Sequence, residues 1–259
     1  MEITVLGSCA NQISDREGVS LLVEHLDDNL LIDCGPGVVA ALGRARRKAS
    51  DINNVLLTHV HGDHISGFAY FVWNRNFERM GMEPAKDIHV YGLQDTITLA
   101  KFMLEHCYPE LNFPFQVVYH TLELSNGSCK WDIGGMNLTA IEACHTVPCI
   151  SCVITGDNKK FVYSSDTLPT EALAYFAKDA DLVVHEGMMV DQMAQLATRV
   201  KHSLASQAGS FASSVGAKQL LLVHVAPGLL GNERALLAQA ATNYSGPISI
   251  PYDGSVYHI

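Results

Sequence analysis

The stretch Thr58-His59-Val60-His61-Gly62-Asp63-His64 constrains this chain more than any other. Three imidazoles and a carboxylate fall within six residues, directly after the apolar run Val55-Leu56-Leu57. Side chains alternate along a strand, so His59 and His61 are expected on one side. Gly62 permits a sharp turn without a Cβ clash, from which Asp63 and His64 face the same space. Four ligand-type side chains converging at a strand end suit a divalent metal, most simply zinc. The bland alternative is a surface histidine cluster. The length of the motif, and the order in which further ligand types come after it, weigh against that alternative.

The remaining composition sets limits. A chain of 259 residues with 48% hydrophobic and 17% charged residues can bury a sizeable core. No Gly-, Ser- or Pro-rich linker divides it, so residues 1–259 are expected to form one domain. No apolar run has the length to span a bilayer, and Met1-Glu2-Ile3-Thr4-Val5-Leu6 lacks the features of a secretory signal and reads as a first strand. A cytoplasmic location and no membrane partner are the expectation. The seven cysteines are odd in number, scattered and set among apolar neighbours, as free buried thiols of a cytosolic protein would be. Cys149-Ile-Ser-Cys152 has redox or zinc spacing, but in a strand its two thiols point opposite ways, which favours a structural role. A formal net charge of −10 argues against broad nucleic-acid binding through a basic surface. It leaves room for a local positive site: two divalent ions carry four charges, and two aspartates with a hydroxide cancel only three.

Along the chain, Ile3–Leu6, Val19–Glu24 and Asn29–Asp33 read as strands and Val38–Arg47 as a helix with a basic end. A helical pattern runs from Ile65 to about Met80, carrying Phe68, Tyr70, Phe71 and Trp73, aromatics that more often pack a core than line a pocket. Next come a strand at His89–Gly92, a helix at Leu93–His106 and strands over residues 117–167. Lys160–Ser164 pairs with Cys149–Thr155 across Gly156-Asp157-Asn158. Helices are expected from Pro169 to Ala180, from Ser203 to Val215 and from Asn232 to Tyr244. Strands are expected at Leu182–Glu186 and Gln219–Val223, with a final strand pair over Ile248–Ile259 turning at Asp253-Gly254. Strand-rich and then mixed in each half, the order suggests two sheets packed face to face with helices outside.

Collecting strand ends gives a second pattern. His59, His61, Asp63 and His64 lie after one apolar run, His145 after another, Asp166 after another and His224 after the last. Seven such residues are the right number for two metals sharing one carboxylate. Asp33 ends the third strand and is placed either to fix a ligand imidazole or to cap a turn. His25, His89, His106, His120 and His258 stand outside the pattern, and His185 alternates away from it.

This order resembles the metallo-β-lactamase superfamily over nearly the whole chain, the His-x-His-x-Asp-His motif being its most specific mark. The resemblance implies an α/β fold, the four-layer αββα sandwich. It also implies that His59, His61 and His145 hold one metal, that Asp63, His64 and His224 hold the other, and that Asp166 bridges them. The later motifs resemble the ribonuclease Z branch: Asp181-Leu-Val-Val-His185-Glu186, Lys201-His202-Ser203 with Leu204 where that branch has threonine, and Leu221-Leu222-Val223-His224. By that resemblance His202 lies beside a scissile phosphate, with Glu186 placed to orient it. tRNA-processing members carry a long arm between the third ligand histidine and the bridging aspartate. Here a hairpin alone separates His145 from Asp166, so the tRNA handle is missing and a tRNA partner is not expected.

The resemblance and the ligand set together imply a binuclear-metal hydrolase, with Zn²⁺ first and Mn²⁺ or Fe²⁺ also compatible. The leading reading is a phosphodiesterase acting on a small anionic substrate. A hydroxide shared by the metals attacks, Asp63 accepts a hydrogen bond from it, and His202 stabilises or protonates the leaving side. Arylsulfatase-like and lactone hydrolysis are alternatives. An iron-dependent thiol dioxygenase and a metal-bound scaffold are readings of other classes. Subunit count is not legible in the sequence; relatives of the branch are often dimers, so the resemblance makes a homodimer a candidate.

Overall fold

The computed structural model describes residues 1–11, 16–78, 86–110 and 112–259. The loop expected after Asn11 and the helix end expected near Met80 lie outside them. The chain begins with β1 (Glu2–Gly7), β2 (Ser20–His25) and β3 (Asp28–Ile32), an antiparallel run. Then come α1 (Val38–Arg44), β4 (Asn54–Leu56), the single turn α2 (Gly62–Ile65), α3 (Phe68–Glu78), β5 (Ile88–Gly92), α4 (Gln94–Cys107) and β6 (Val117–Thr121). The second half opens with β7 (Ser128–Ile133), β8 (Met136–Glu142), β9 (Ile150–Gly156) and β10 (Lys159–Tyr163). It continues with α5 (Glu171–Phe176), β11 (Leu182–Glu186), α6 (Ala194–Val200), α7 (Ala205–Ser214), β12 (Leu220–Val223), α8 (Glu233–Ala240), β13 (Ile248–Ser249) and β14 (Ser255–His258).

Among the described residues there are two seven-stranded sheets, ordered β14-β1-β2-β3-β4-β5-β6 and β13-β12-β11-β10-β9-β8-β7. Alternation along the strands splits their side chains between layers. Ile3, Val5, Leu21 and Leu56 meet Ile154, Phe161 and Leu221 between the sheets. Leu31, Val55 and Val90 face outward onto Val38, Phe68, Phe71 and Ile97 of the first helical layer. Val153, Val162, Val183 and Leu222 face Leu173, Phe211 and Leu236 of the second. The expected αββα sandwich is therefore the observed architecture.

Strand direction positions the site. β3, β4, β5 and β6 run parallel, as do β10, β11, β12 and β13. β8 and β10 are each antiparallel to β9, so β8 runs with β10. Their carboxyl ends gather at one edge, where open α/β sheets place ligands.

Three expectations change in detail. The helical pattern from Ile65 breaks at Ser66-Gly67, because Gly67 N–H donates to Cys34 O at 2.9 Å. A Cβ on Gly67 would come within 2.3 Å of Gly35 O, so the chain must turn there on glycine. Of the aromatics that follow, Phe68 and Phe71 are core, whereas Tyr70 and Trp73 form an outer stack that extends to Phe77 and Tyr108. The last two strands do not pair with each other: β13 adds parallel to β12 and β14 adds antiparallel to β1, in opposite sheets. The chain between them crosses the sandwich edge. It is held there by Asp253, whose carboxylate accepts from Ser8 Oγ at 3.0 Å and from Glu17 N–H at 2.6 Å. Finally, α6 has no counterpart among the expected helices; Ala197 is its only buried residue, so it presents almost no apolar stripe.

Candidate metal centre

The first motif reaches the edge by a different backbone route from the one its alternation suggests. β4 ends at Leu56, and Thr58 to His61 continue as irregular chain. Asp33 fixes that segment: its Oδ1 accepts Thr58 N–H at 2.8 Å and Thr58 Oγ1–H at 3.0 Å. His61 then caps α2, and Asp63 and His64 project from that one turn. The side chains converge as expected, although a helical turn delivers two of them.

All seven expected ligands meet. Donor atoms of His59, His61, His145 and Asp166 lie within 4.8 Å of one another, and so do those of Asp63, His64, Asp166 and His224. Asp166 is common to both groups. Its Oδ2 lies 3.6 Å from His59 Nε2, 3.4 Å from His64 Nε2, 3.9 Å from His145 Nε2 and 3.2 Å from His224 Nε2. His145 Nε2 and His61 Nδ1 are 3.1 Å apart. Two nitrogens bound tetrahedrally at zinc distances of about 2.0–2.1 Å sit about 3.3 Å apart, so this spacing suits a shared cation.

Polar satisfaction makes the same point. His59 Nε2, His64 Nε2 and Asp166 Oδ1 are buried without a hydrogen-bond partner. Such atoms are expensive in a protein interior, and here they belong to the two ligand groups. A divalent cation is what this donor set fits. Without one, the electrostatics are strained. Burial pushes His59 well below the usual histidine range, with the charge of neighbouring His64 adding to it. Burial pulls His64 down too, but the Asp166 and Asp33 carboxylates outweigh it and raise the imidazole well above its ordinary value. Burial would lift Asp166, yet His224, His64 and His59 hold it well below the usual carboxylate range.

A surrounding set of groups orients the candidate ligands. Asp33 Oδ2 lies 2.8 Å from His64 Nδ1, which turns Nε2 inward; Asp33 thus fixes an imidazole, the first of its two expected roles, and also organises the Thr58 turn. Lys201 O lies 3.2 Å from His145 Nδ1. Beside the ligands, His202 Nδ1 lies 3.1 and 3.2 Å from the two carboxylate oxygens of Glu186. Glu186 also accepts Thr167 N–H at 2.6 Å and Ser203 N–H at 3.0 Å. One carboxylate therefore ties the segment after Asp166 to the one bearing His202. The His202 ring stacks 5.1 Å from that of His224. Burial opposes protonation of His202, but Glu186 overcomes it and raises the imidazole above its ordinary value. Leu204 provides no hydroxyl where the branch has threonine; Gln207 Oε1 instead accepts Leu204 N–H at 2.9 Å.

Backbone strain collects here. Asp33 (φ 62°), Ser165 (φ 52°), Lys201 (φ 55°) and His224 (φ 57°) are non-glycine residues in the left-handed region. Each such residue costs on the order of 1 kcal/mol or more, and each adjoins or belongs to the cluster.

Several side chains stay outside it, as expected. His185 is buried against Phe211, and His25 and His258 approach Asp157 and Glu2. His89 and His120, without partners in the sequence pattern, are paired with each other, with Nδ1 and Nε2 2.9 Å apart; adjacency of β5 and β6 brings them together, which spacing in sequence does not reveal. Cys149 and Cys152 are free and buried.

A family model described as anti-Pycsar protein Apyc1 matches residues 1–233. The chain belongs to the Apyc1 family. It is ribonuclease Z-like, and the curated proteins it is similar to carry that name. Ribonuclease Z of Mycobacterium bovis is 29% identical over 277 residues, covering 98% of this chain and 96% of that protein. Ribonuclease Z of Haloarcula marismortui is 24% identical, covering 98% and 95%, and its alignment spans 305 residues against a chain of 259. Among solved structures, the metallo-β-lactamase fold protein YhfI of Bacillus subtilis superposes with a TM-score of 0.84 at 24% identity, covering 99% of this chain and 98% of that one. Human tRNase Z, short form, superposes with a TM-score of 0.83 at 21% identity, covering 100% and 99%. A diphosphatase of the PhnP family gives 0.74 at 18%, covering 100% and 97%. These likenesses establish the metallo-β-lactamase fold of this Apyc1-family chain.

Proposed function

We propose that this protein is a metal-dependent phosphodiester hydrolase that uses two divalent ions and acts on a small diester rather than on tRNA. The observation that carries this reading is the division of seven inward-facing donors into two groups that share Asp166, with the Glu186–His202 pair beside them. The names of the relatives, ribonuclease Z, tRNase Z and diphosphatase, belong to enzymes that break phosphate linkages.

His59, His61 and His145 would hold one ion, Asp63, His64 and His224 the other, and Asp166 both. Bound there, two divalent ions would supply an activated water near neutral pH and screen phosphate charge; zinc is the first choice and manganese or iron fit the same donors. The protein's own groups do the rest. Asp63, accessible at its outer edge and 3.2 Å from His224, would accept a hydrogen bond from the attacking water and so orient it. Because Glu186 engages Nδ1 of His202, its Nε2 is left for the substrate in this reading. It donates to a non-bridging oxygen or to the departing oxygen as negative charge develops.

The preference for a small substrate rests on the connection between His145 and Asp166. It consists of β9 and β10 joined by Asp157-Asn158, both at positive φ in a two-residue hairpin turn. No arm leaves this segment. A turnover panel tests the reading: an aryl phosphodiester, a cyclic nucleotide, an aryl sulfate and a lactone, each with metal-loaded protein. Diester turnover is expected. Sulfate or lactone turnover without diester turnover would overturn it.

A further inference from the structure

The residue before His202 stands where glycine is the ordinary choice. Helix α6 closes on Lys201, at φ 55° and ψ 50°. Lys201 N–H and His202 N–H return to Thr198 O at 3.4 Å and Ala197 O at 3.0 Å. Helices commonly end on a left-handed residue of this kind, and glycine fills the position without a steric penalty. A lysine there holds a strained backbone and adds a side chain. That side chain leaves its own helix. Lys201 Nζ donates to His145 O at 2.8 Å, 56 residues away in sequence. A lysine serving only the dipole of α6 would stay by the last turn of that helix.

The backbone of Lys201 makes a second contact with the same histidine. Lys201 O lies 3.2 Å from His145 Nδ1. A carbonyl oxygen only accepts, so this contact requires the proton on Nδ1. The Nε2 lone pair is then free on the side of His61 Nδ1, 3.1 Å away, and of Asp166 Oδ2, 3.9 Å away. The His145 ring also meets the His202 ring edge-on, with centroids 4.9 Å apart. We propose that Lys201 is a positioning residue: its ammonium and its carbonyl clamp His145 at two points, fix its tautomer, and set His202 against it. The proposal rests on the two-metal reading of the site.

The surroundings show why such a clamp matters. His145 lies in the loop of residues 143–149 between β8 and β9. One flank of that loop is tied to the segment after Asp166: Cys144 N–H donates to Thr167 Oγ1 at 2.9 Å, and Leu168 N–H to Cys144 O at 3.1 Å. Lys201 ties the loop to α6. That helix buries Ala197 alone, and an element packed so lightly belongs to the part of a fold that opens most easily. The Glu186 contact holds the His202 ring, while the clamp joins the end of α6 to a metal-ligand loop. His145 and His202 are thereby placed as one unit.

The test uses the full chain with Lys201→Asn and Lys201→Arg. Asparagine tolerates the left-handed region and removes the ammonium; arginine restores a cationic donor. Zinc is titrated into chelator-stripped protein against a chromophoric chelator. The asparagine variant is expected to lose about ten-fold in affinity at one of the two equivalents, and arginine to recover most of it. Nitrogen NMR of the histidine rings in zinc-free protein reads the tautomer: His145 protonated at Nδ1 in wild type, exchanging between tautomers in Lys201→Asn. With an aryl phosphodiester, kcat is expected to fall about ten-fold in that variant with KM little changed. Wild-type affinity with an unmoved His145 signal, no recovery with arginine, or a loss confined to KM would overturn the role. If no zinc binds or no diester is hydrolysed, the proposed function fails on its own, and the zinc-free spectrum decides the clamp. An Nδ1–H on His145 that depends on the lysine supports it; an Nε2–H on His145 in wild type sinks it.

Discussion

Asp33 Oδ2 lies 2.8 Å from His64 Nδ1 in a fully buried contact. The same carboxylate receives Thr58 N–H and Thr58 Oγ1–H and the Tyr163 hydroxyl at 3.3 Å. One side chain therefore sets both the orientation of the His64 imidazole and the path of the chain into the first histidine. Outer carboxylates of this kind commonly affect metal affinity by about ten- to a hundred-fold. Asp33→Ala is expected to weaken metal binding by that order, measured by competition with a chromophoric chelator. Unchanged affinity would remove Asp33 from the centre.

His202→Ala should leave metal content intact and lower kcat by about a hundred- to ten-thousand-fold, the range of a general acid. Glu186→Gln acts through His202 and is read differently. It weakens the preference for the protonated imidazole, so the alkaline limb of the kcat profile should move to lower pH. Metal lost in His202→Ala, or an unmoved limb in Glu186→Gln, would contradict these roles.

The site was legible where chemistry is written in residue type. Polar ligand types at the ends of apolar runs, such as Asp166 after Phe161-Val162-Tyr163 and His224 after Leu220–Val223, mark the carboxyl ends of buried strands wherever those strands lie in the sheets. What was not legible depended on contacts made across the fold. Local alternation at Ile248–Ile259 shows extended chain, but the choice of opposite sheets is made by Asp253 reaching Ser8 and Glu17. The break at Gly67 needs the approach of Gly35. α6, with one buried residue, lacks the stripe by which a helix announces itself, yet its left-handed end at Lys201 is what delivers His202.

His185 gives a pH prediction outside the ligand set. Its Nδ1 lies 2.6 Å from Glu186 O, and its Nε2 is buried without a partner. Burial lowers its pKa from 6.5 to about 4. The native state therefore binds fewer protons than the unfolded chain between these values. Stability is lost as pH falls below about 6.5 and levels off below about 4. At pH 5 the loss from this group is on the order of 2 kcal/mol. Urea unfolding of wild type and His185→Leu should show the variant's stability depending less on pH across that window; equal slopes would refute the assignment.

The β9–β10 turn gives a local test. Asp157 (φ 49°) and Asn158 (φ 61°) occupy left-handed positions of a two-residue hairpin. Asn158→Gly should be neutral or mildly stabilising, whereas Asn158→Val should cost on the order of 1–2 kcal/mol, read from the denaturation midpoint. A Val variant as stable as wild type would mean the turn is formed otherwise.

The central claim is that two groups of side chains, joined by Asp166, hold two metal ions that together hydrolyse a phosphodiester. Its most direct test is to titrate zinc or manganese into chelator-stripped protein, following bound metal by elemental analysis and diester turnover on the same samples. The account predicts two equivalents for wild type, with turnover rising chiefly as the second site fills, and loss of both sites' occupancy in Asp166→Ala. Full turnover in metal-free protein, or an Asp166→Ala protein that still binds two equivalents, would contradict it.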